Sequence, residues 1–280
     1  MSAPSWRLLV MGADTAAANM AIDESLLRHA RTVGVPTLRL YGWKAAAFSY
    51  GYFTDVTDEF DIAACRESGV ELVRRPTGGG IVVHRFSLTY TVVVPPDDTA
   101  VPSDALDSYR FLNGGVARAL KRVGFPAELA PACDCADEAV RDWCFARTMR
   151  HDVVMNGSKL AGAAQRRNRF GLLHQGYLTL RLPDADTLRF ARKDAVRLAA
   201  AKGASVPGMP GSSLSEVEMR NGLVDGFAEA LSVRFEPASL SGGEVADAER
   251  LRATLYHRDD WNFGDRTERQ RLRRSVDRNA

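Results

Sequence analysis

Cys144 and Lys159 lie fifteen residues apart and carry the two side-chain types that nucleophilic catalysis through sulfur calls for. A thiol has an ordinary pKa of about 8.5 and becomes a good nucleophile when a nearby cation favours the thiolate. The residues between them give a reason for the two groups to meet. His151 to Met155 is short and valine-rich, Asn156-Gly157 suits the centre of a type I′ turn because both residues accept positive φ, and the chain runs on toward Gly162. This predicts a tight hairpin, with Lys159 on the second strand and Cys144 in the segment feeding the first. Taken singly, each type has a commoner use, cysteine as a small buried apolar residue and lysine as a solvated charge.

A second candidate is Arg74-Arg75-Pro76-Thr77-Gly78-Gly79-Gly80-Ile81-Val82-Val83-His84. Glycines between strands allow close backbone approach to a ligand, and Arg75 suits a phosphate or carboxylate. No Gly-Lys-Ser or Gly-Lys-Thr follows, so this is not a Walker loop, and the dinucleotide fingerprint is absent. As a bare pattern, three glycines between strands are a turn or bulge more often than a ligand cradle. His84 and His174 are candidates for acid–base work, although an isolated histidine is commonly structural. Neither has a metal-ligand partner at useful spacing, and Cys133-Asp134-Cys135 has no second pair, so no metal is expected and those thiols read as loop residues.

An ordinary globular chain must position these groups. It has 280 residues, 45% hydrophobic and 26% charged, enough for one large domain or two smaller ones. Lys plus Arg number 37 against 35 acidic residues, a balance that does not mark a nucleic-acid binder. The start lacks a signal-like segment, and no apolar run reaches the roughly eighteen residues of a membrane span. With four cysteines that form no spaced disulfide framework, the expectation is a cytoplasmic protein. Strands are predicted at Trp6–Met11, Thr37–Tyr41, Val70–Arg74, Leu88–Val94 and Leu172–Leu180. Helices are predicted from Thr15 to about Ala30, at Phe60–Ser68 around a packing Cys65, at Ser103–Val123, and near Thr187–Ala201, Ser213–Leu231 and Glu244–Tyr256. The Ser103–Val123 helix is expected to bury Leu106, Tyr109, Val116, Leu120 and Val123. Mixed order of strands and helices implies an α/β or α+β sheet with helices against it. A Gly, Pro and Ser-rich stretch at 203–213 reads as a long loop, and the arginine-rich tail from about Gly264 as a solvated, partly frayed helix.

Several of these segments resemble, in order, the landmarks of one family. Asn19-Met20-Ala21-Ile22-Asp23-Glu24, Leu40-Tyr41-Gly42-Trp43, the Arg74–Gly80 segment with His84, and Lys159-Leu160-Ala161-Gly162-Ala163-Ala164-Gln165 are similar to those of the lipoate-protein ligases and octanoyltransferases, relatives of the biotin protein ligases. Tyr256 with Asp260-Trp261-Asn262 resembles the C-terminal landmark. The resemblance implies one catalytic domain over 1–262, a central mixed β-sheet flanked by helices, with 263–280 as the tail. ATP-dependent ligases of the family activate free lipoate as an adenylate and need no cysteine. Cys144-Phe145 upstream of the lysine motif, and Leu88-Thr89-Tyr90 after His84, resemble the cysteine-dependent octanoyltransferase branch instead. The short remainder after Trp261 also leaves little room for the accessory domain of longer ligases.

What the resemblance implies is transfer of an octanoyl group from octanoyl-acyl carrier protein to Cys144, then to a lysine of a lipoyl-accepting protein, with no cofactor. Glycine cleavage H protein and the acyltransferase subunits of 2-oxoacid dehydrogenases are the acceptors it suggests. Lys159 would favour the Cys144 thiolate and polarise the carbonyl. Gly78, Gly79, Gly80, Ile81, Val82 and Val83 would line an acyl tunnel, with Arg75, His84, Gly162, Ala163 and His174 around it. Arg118, Lys121, Arg122, Arg166, Arg167 and Arg169 read by default as solvated faces and, on this resemblance, could meet acidic carriers electrostatically. Gly80, where a bulkier basic residue is common, and the order His174-Gln175-Gly176 depart from the branch pattern. The alternatives are an ATP- and Mg2+-dependent lipoate ligase, an amidotransferase between lipoyl domains, and a noncatalytic acyl-binding scaffold.

Overall fold

The computed structural model describes residues 3–133, 142–194, 196 and 216–278. The loop expected at 203–213, Cys135, and much of the helix expected over Thr187–Ala201 lie outside the described residues.

Eight strands form one mixed sheet. They are β1 (Ser5–Asp14), β2 (Thr37–Trp43), β6 (Ser87–Val94), β7 (Glu128–Leu129), β8 (Val153–Met155), β9 (Ser158–Asn168), β10 (Gly171–Thr179) and β11 (Arg234–Pro237), in the order β11-β1-β2-β6-β10-β9-β8-β7. β1 pairs parallel with β2 and β11, while β2, β6, β10, β9, β8 and β7 pair antiparallel. A smaller sheet holds β3 (Ala47–Tyr50) between β4 (Glu71–Arg74), which the short helix α2 (Ile62–Glu67) precedes, and β5 (Val82–Val83).

Strand alternation divides the large sheet into two faces. Tyr90, Val92, Val94, Leu172 and Leu178 pack with Leu112, Val116 and Leu120 of α3 (Ala105–Arg122), and with Met219, Leu223 and Phe227 of the helix Glu216–Leu231. The side chains between them turn the other way, so that Leu9, Val93 and Leu173 meet Ile22, Leu26 and Leu27 of α1 (Ala16–Val33). Helix α1 starts where the sequence says it should, with the Thr15 side chain accepting from the backbone N–H of Ala18, and ends at Gly34 in the left-handed region. Leu106, expected on the buried stripe of α3, is 49% exposed.

The arginine-rich tail is not a frayed helix. Helix Arg266–Arg278 lays Val276 and Leu272 on the apolar cluster that holds Met20, Tyr256 and Trp261. Arg273 reaches the buried carboxylate of Glu24 at 2.6 Å, and Glu24 also binds Arg28 and the Tyr256 hydroxyl. Burial alone would raise the Glu24 pKa, but Arg273, Arg28 and Tyr256 outweigh it and hold the group at about 2. The planar fork of arginine suits such a pair, which lets a polar-looking tail pack against the rest of the chain.

Candidate active site

Two walls, one from each sheet, flank a partly open pocket with a cavity volume of about 50 Å³, lined by Met20, Tyr41, Trp43, Ser49, Arg75, Gly79, Val82, His84, Thr89, Cys144, Lys159, Ala163, Ala164, Gln175, Gly176 and Tyr177.

The large-sheet wall begins with the predicted hairpin. Asn156 and Gly157 both have positive φ, at 52° and 77°, and Lys159 follows on β9. Its ammonium is buried, 2.7 Å from Asp152 Oδ2, and donates to the Arg147 carbonyl at 3.1 Å. The Met149 backbone N–H donates to the same Asp152 oxygen at 2.7 Å, which fixes the carboxylate in place. Gly162 makes room for the pair, since a Cβ there would stand 2.6 Å from Lys159 Cε. Burial pushes the Lys159 pKa down, but the negative charges available at Tyr177, Asp152 and Cys144, with the Asp152 hydrogen bond, push it up further, and it is raised. Lys159 is therefore a fixed ammonium and not a base.

Beside it, Gln175 and Tyr177 project from β10 on the face of Leu173. Gln175 accepts from Thr77 Oγ1 at 2.8 Å and donates to Asp23 Oδ2 at 2.7 Å. Asp23 is buried and also accepts from Arg39, Tyr41 and Thr91 at 2.6, 3.0 and 2.8 Å. The Asn19–Glu24 landmark thus supplies a polar foundation beneath the pocket. The Tyr177 hydroxyl is buried and has no hydrogen-bond partner among the described residues. Burial, opposed by Lys159 and reinforced by Cys144 and Asp152, raises its pKa, so it remains a donor.

The small-sheet wall carries the sulfur. Trp143 is buried against Phe48 and Phe60, and its ring N–H donates to Glu59 at 2.9 Å. Ile81 bridges Trp143, and the Cys144 N–H donates to the Ile81 carbonyl at 2.8 Å at the start of a short 3-10 turn, Cys144–Ala146. Gly80 is needed for this crossing, because a Cβ there would stand 2.1 Å from the Asp142 carbonyl oxygen. Arg75, also buried, donates to Ser49 Oγ at 2.7 Å and to the carbonyls of Gly78 and Gly80 at 3.1 and 2.9 Å. Among the described residues it has no carboxylate partner; burial lowers its pKa, with Cys144 the foremost opposing influence. His84 Nε2 lies 2.6 Å from Ser49 Oγ, Nδ1 lies 3.3 Å from Ser87 Oγ, and the ring stacks on Trp43. Ser49 accepts from Arg75 and has one proton of its own, which suits donation to Nε2 and leaves the Nδ1–H for Ser87. Burial, then the Arg75 charge, hold the His84 pKa well below its ordinary value.

Cys144, Lys159, Arg75, Gly79, Val82, His84 and Ala163 thus meet around one pocket, with Gly162 beneath the lysine. Four expectations change. Gly78 and Gly80 act through their carbonyls on Arg75. Ile81 turns into the apolar cluster of Phe48 and Trp143. Val83 lines a neighbouring cleft. His174 faces the α3 side, because it alternates with Gln175; Gln165 donates to its Nδ1 at 2.9 Å, and burial lowers its pKa to about 3. Asp152, Gln175, Tyr177 and Ser49 were missed. The alternation Leu173, Gln175, Tyr177 in a predicted strand would have found two of them. Of the basic residues expected to face carriers, Arg118 and Arg122 both bind Glu229.

The mixed sheet and the smaller one thus bring a hairpin lysine and a glycine segment to one pocket. The lipoyl protein ligase A/B catalytic domain model matches residues 15–236, and the chain belongs to that family. It is 38% identical to octanoyltransferase LipM of Kyrpidia tusciae, over 92% of this chain and 98% of that one, and 30% identical to octanoyltransferase LipM of Bacillus subtilis, over 94% and 99%. Among solved structures, a bipartite lipoate protein ligase from Thermoplasma acidophilum superposes with a TM-score of 0.75 at 25% identity, covering 93% of this chain and 97% of that one. Lipoate-protein ligase A bound with ATP gives 0.75 at 26%, covering 94% and 99%.

Proposed function

We propose that the protein is a protein octanoyltransferase that moves an octanoyl group from octanoyl-acyl carrier protein to a lysine of a lipoyl-accepting protein through an acyl-Cys144 intermediate. The observation carrying this is that Cys144 and Lys159, from opposite walls, line one pocket. The octanoyltransferase relatives, matched over nearly their whole length, support it. A ligase that activates lipoate with ATP would share the fold but has no use for a sulfur at this place.

Cys144 Sγ, as thiolate, bonds to the thioester carbon, and negative charge gathers on the carbonyl oxygen. An ammonium has three N–H donors; Asp152 and the Arg147 carbonyl take two from Lys159, leaving one for that oxygen, with the free Tyr177 hydroxyl as a second donor. Arg75 supplies positive charge not already neutralised by a carboxylate. Collapse breaks the bond to the phosphopantetheine sulfur, which leaves and takes up the proton that Cys144 gave away. A neutral acceptor ε-amine then attacks acyl-Cys144, the C–N bond forms, the C–S bond breaks, and the amine proton passes to water. The first exchange is thioester for thioester and needs no ATP; the second, thioester to amide, runs downhill.

Acceptors of this chemistry are lipoyl domains such as glycine cleavage H protein or the acyltransferase subunits of 2-oxoacid dehydrogenases. We place the reaction in the cytoplasm, where Cys144 stays reduced; among the described residues no helix is long and apolar enough to cross a membrane. The test is incubation with octanoyl-acyl carrier protein without ATP, followed by intact and peptide mass spectrometry. One octanoyl group on Cys144 is expected, and Cys144→Ser should lose transfer to an acceptor domain by roughly a thousandfold or more. No adduct, with ATP-dependent attachment of free lipoate, would make the protein a ligase. Acylation of Cys144 only from an octanoylated lipoyl domain would make it an amidotransferase.

A further inference from the structure

A second, open cleft abuts the Cys144 pocket and shares Val82 and Tyr177 with it. Phe145, next to Cys144 in the chain, is part of its lining. Val83, Phe86, Leu182 and Pro183 make it apolar, and Arg85 and Arg181 add two guanidiniums. Arg181 sits over Phe86, with its guanidinium carbon 3.3 Å from the ring centroid, a cation–π contact that positions the guanidinium in the cleft. Arg85 is 3.7 Å from Asp184, beyond hydrogen-bond reach, and donates to Thr187 Oγ1 at 3.2 Å. One carboxylate therefore stands against two guanidiniums.

We infer that this cleft takes the phosphopantetheine arm of the acyl donor, with its phosphate on Arg85 and Arg181; the inference rests on the acyl-Cys144 reading above. A thioester attacked at Cys144 has two halves. If the acyl half fills the pocket, the half that leaves must emerge beside Cys144, and this cleft borders the pocket there. The arm carries a geminal dimethyl group, amides and a phosphate. Apolar walls suit the first, and a stacked guanidinium paired with a second one suits the last.

Octanoyl-pantetheine and octanoyl-phosphopantetheine differ only in the phosphate, and acylation of Cys144 by each is followed by intact mass in single-turnover reactions. The wild-type protein should show about a tenfold lower KM for the phosphorylated donor. The double variant Arg85→Gln/Arg181→Gln, which removes both charges and keeps polar side chains, should bring that ratio close to one. Equal KM values in the wild type, or a phosphate preference that survives the double replacement, would overturn the inference while leaving acyl-Cys144 chemistry intact. Failure of both donors and of octanoyl-acyl carrier protein to acylate Cys144 would overturn the parent reading, and this one with it.

Discussion

The two walls of the pocket hold their charges in opposite ways. On the large sheet the buried cations have counter-ions: Lys159 has Asp152, and Arg39 has Asp23. On the small sheet the buried Arg75 guanidinium is held by a hydroxyl and two carbonyls and meets no carboxylate among the described residues. A paired cation in a dry site orients a hydrogen bond, whereas an unpaired one favours whatever anion arrives. In the proposed reaction, then, the lysine is the group that directs the carbonyl oxygen and the arginine the one that supplies general attraction for negative charge.

Breaking the large-sheet pair should have the greatest effect. Lys159→Met should cut Cys144 acylation roughly a hundredfold to a thousandfold, as loss of an oxyanion donor does. It should also destabilise the fold by about 3–5 kcal/mol, because Asp152 is left buried and unpaired. Adding Asp152→Asn should recover much of the stability in urea titrations and none of the rate. If rate returns with stability, Lys159 is only a structural partner of Asp152.

The small-sheet wall gives the contrasting result. Arg75→Gln should slow acylation by roughly ten- to a hundredfold, and Arg75→Lys should restore most of the loss if charge is what matters. A lysine variant as slow as the glutamine one would assign Arg75 to holding the Gly78 and Gly80 carbonyls instead. Tyr177→Phe removes one hydroxyl that has no protein partner. It should lower the single-turnover rate about tenfold, within the range of a lost hydrogen bond to developing charge, with little change in melting temperature. An unchanged rate would take Tyr177 out of the chemistry.

How much of this was legible in the sequence follows from the range of each interaction. The hairpin was, because Asn156-Gly157 encodes its turn locally, and so was the helix start at Thr15. The ordered landmarks gave the family and its sheet. Side-chain partners across long separations were not legible. Glu24 is 249 residues from Arg273, and without that pairing the arginine-rich tail reads as solvated surface. Ile81 and His174 were misplaced for a smaller reason. Each has the right type beside the right neighbours, but one position along a strand decides which face a residue occupies.

That facing yields the smallest effect and the sharpest control. His174 sits on the back of the large sheet with a folded pKa near 3, depressed by burial. The unfolded chain, with a histidine pKa of about 6.5, binds the proton more readily, so the contribution to stability is whole above about pH 6.5. It is lost as pH falls from there toward about 3, where the folded protein also takes up the proton. The expected slope is up to about 1.4 kcal/mol per pH unit, and His84 adds to it in the same direction through burial and Arg75. Urea titrations of His174→Gln from pH 7 to pH 4 should show a slope flatter by one group's share. Acylation at pH 7 should stay within about twofold of wild type, since the side chain faces α3 and not Cys144. A large loss of rate would place His174 in the pocket chemistry after all, and the division between the front and back of this sheet would fail with it.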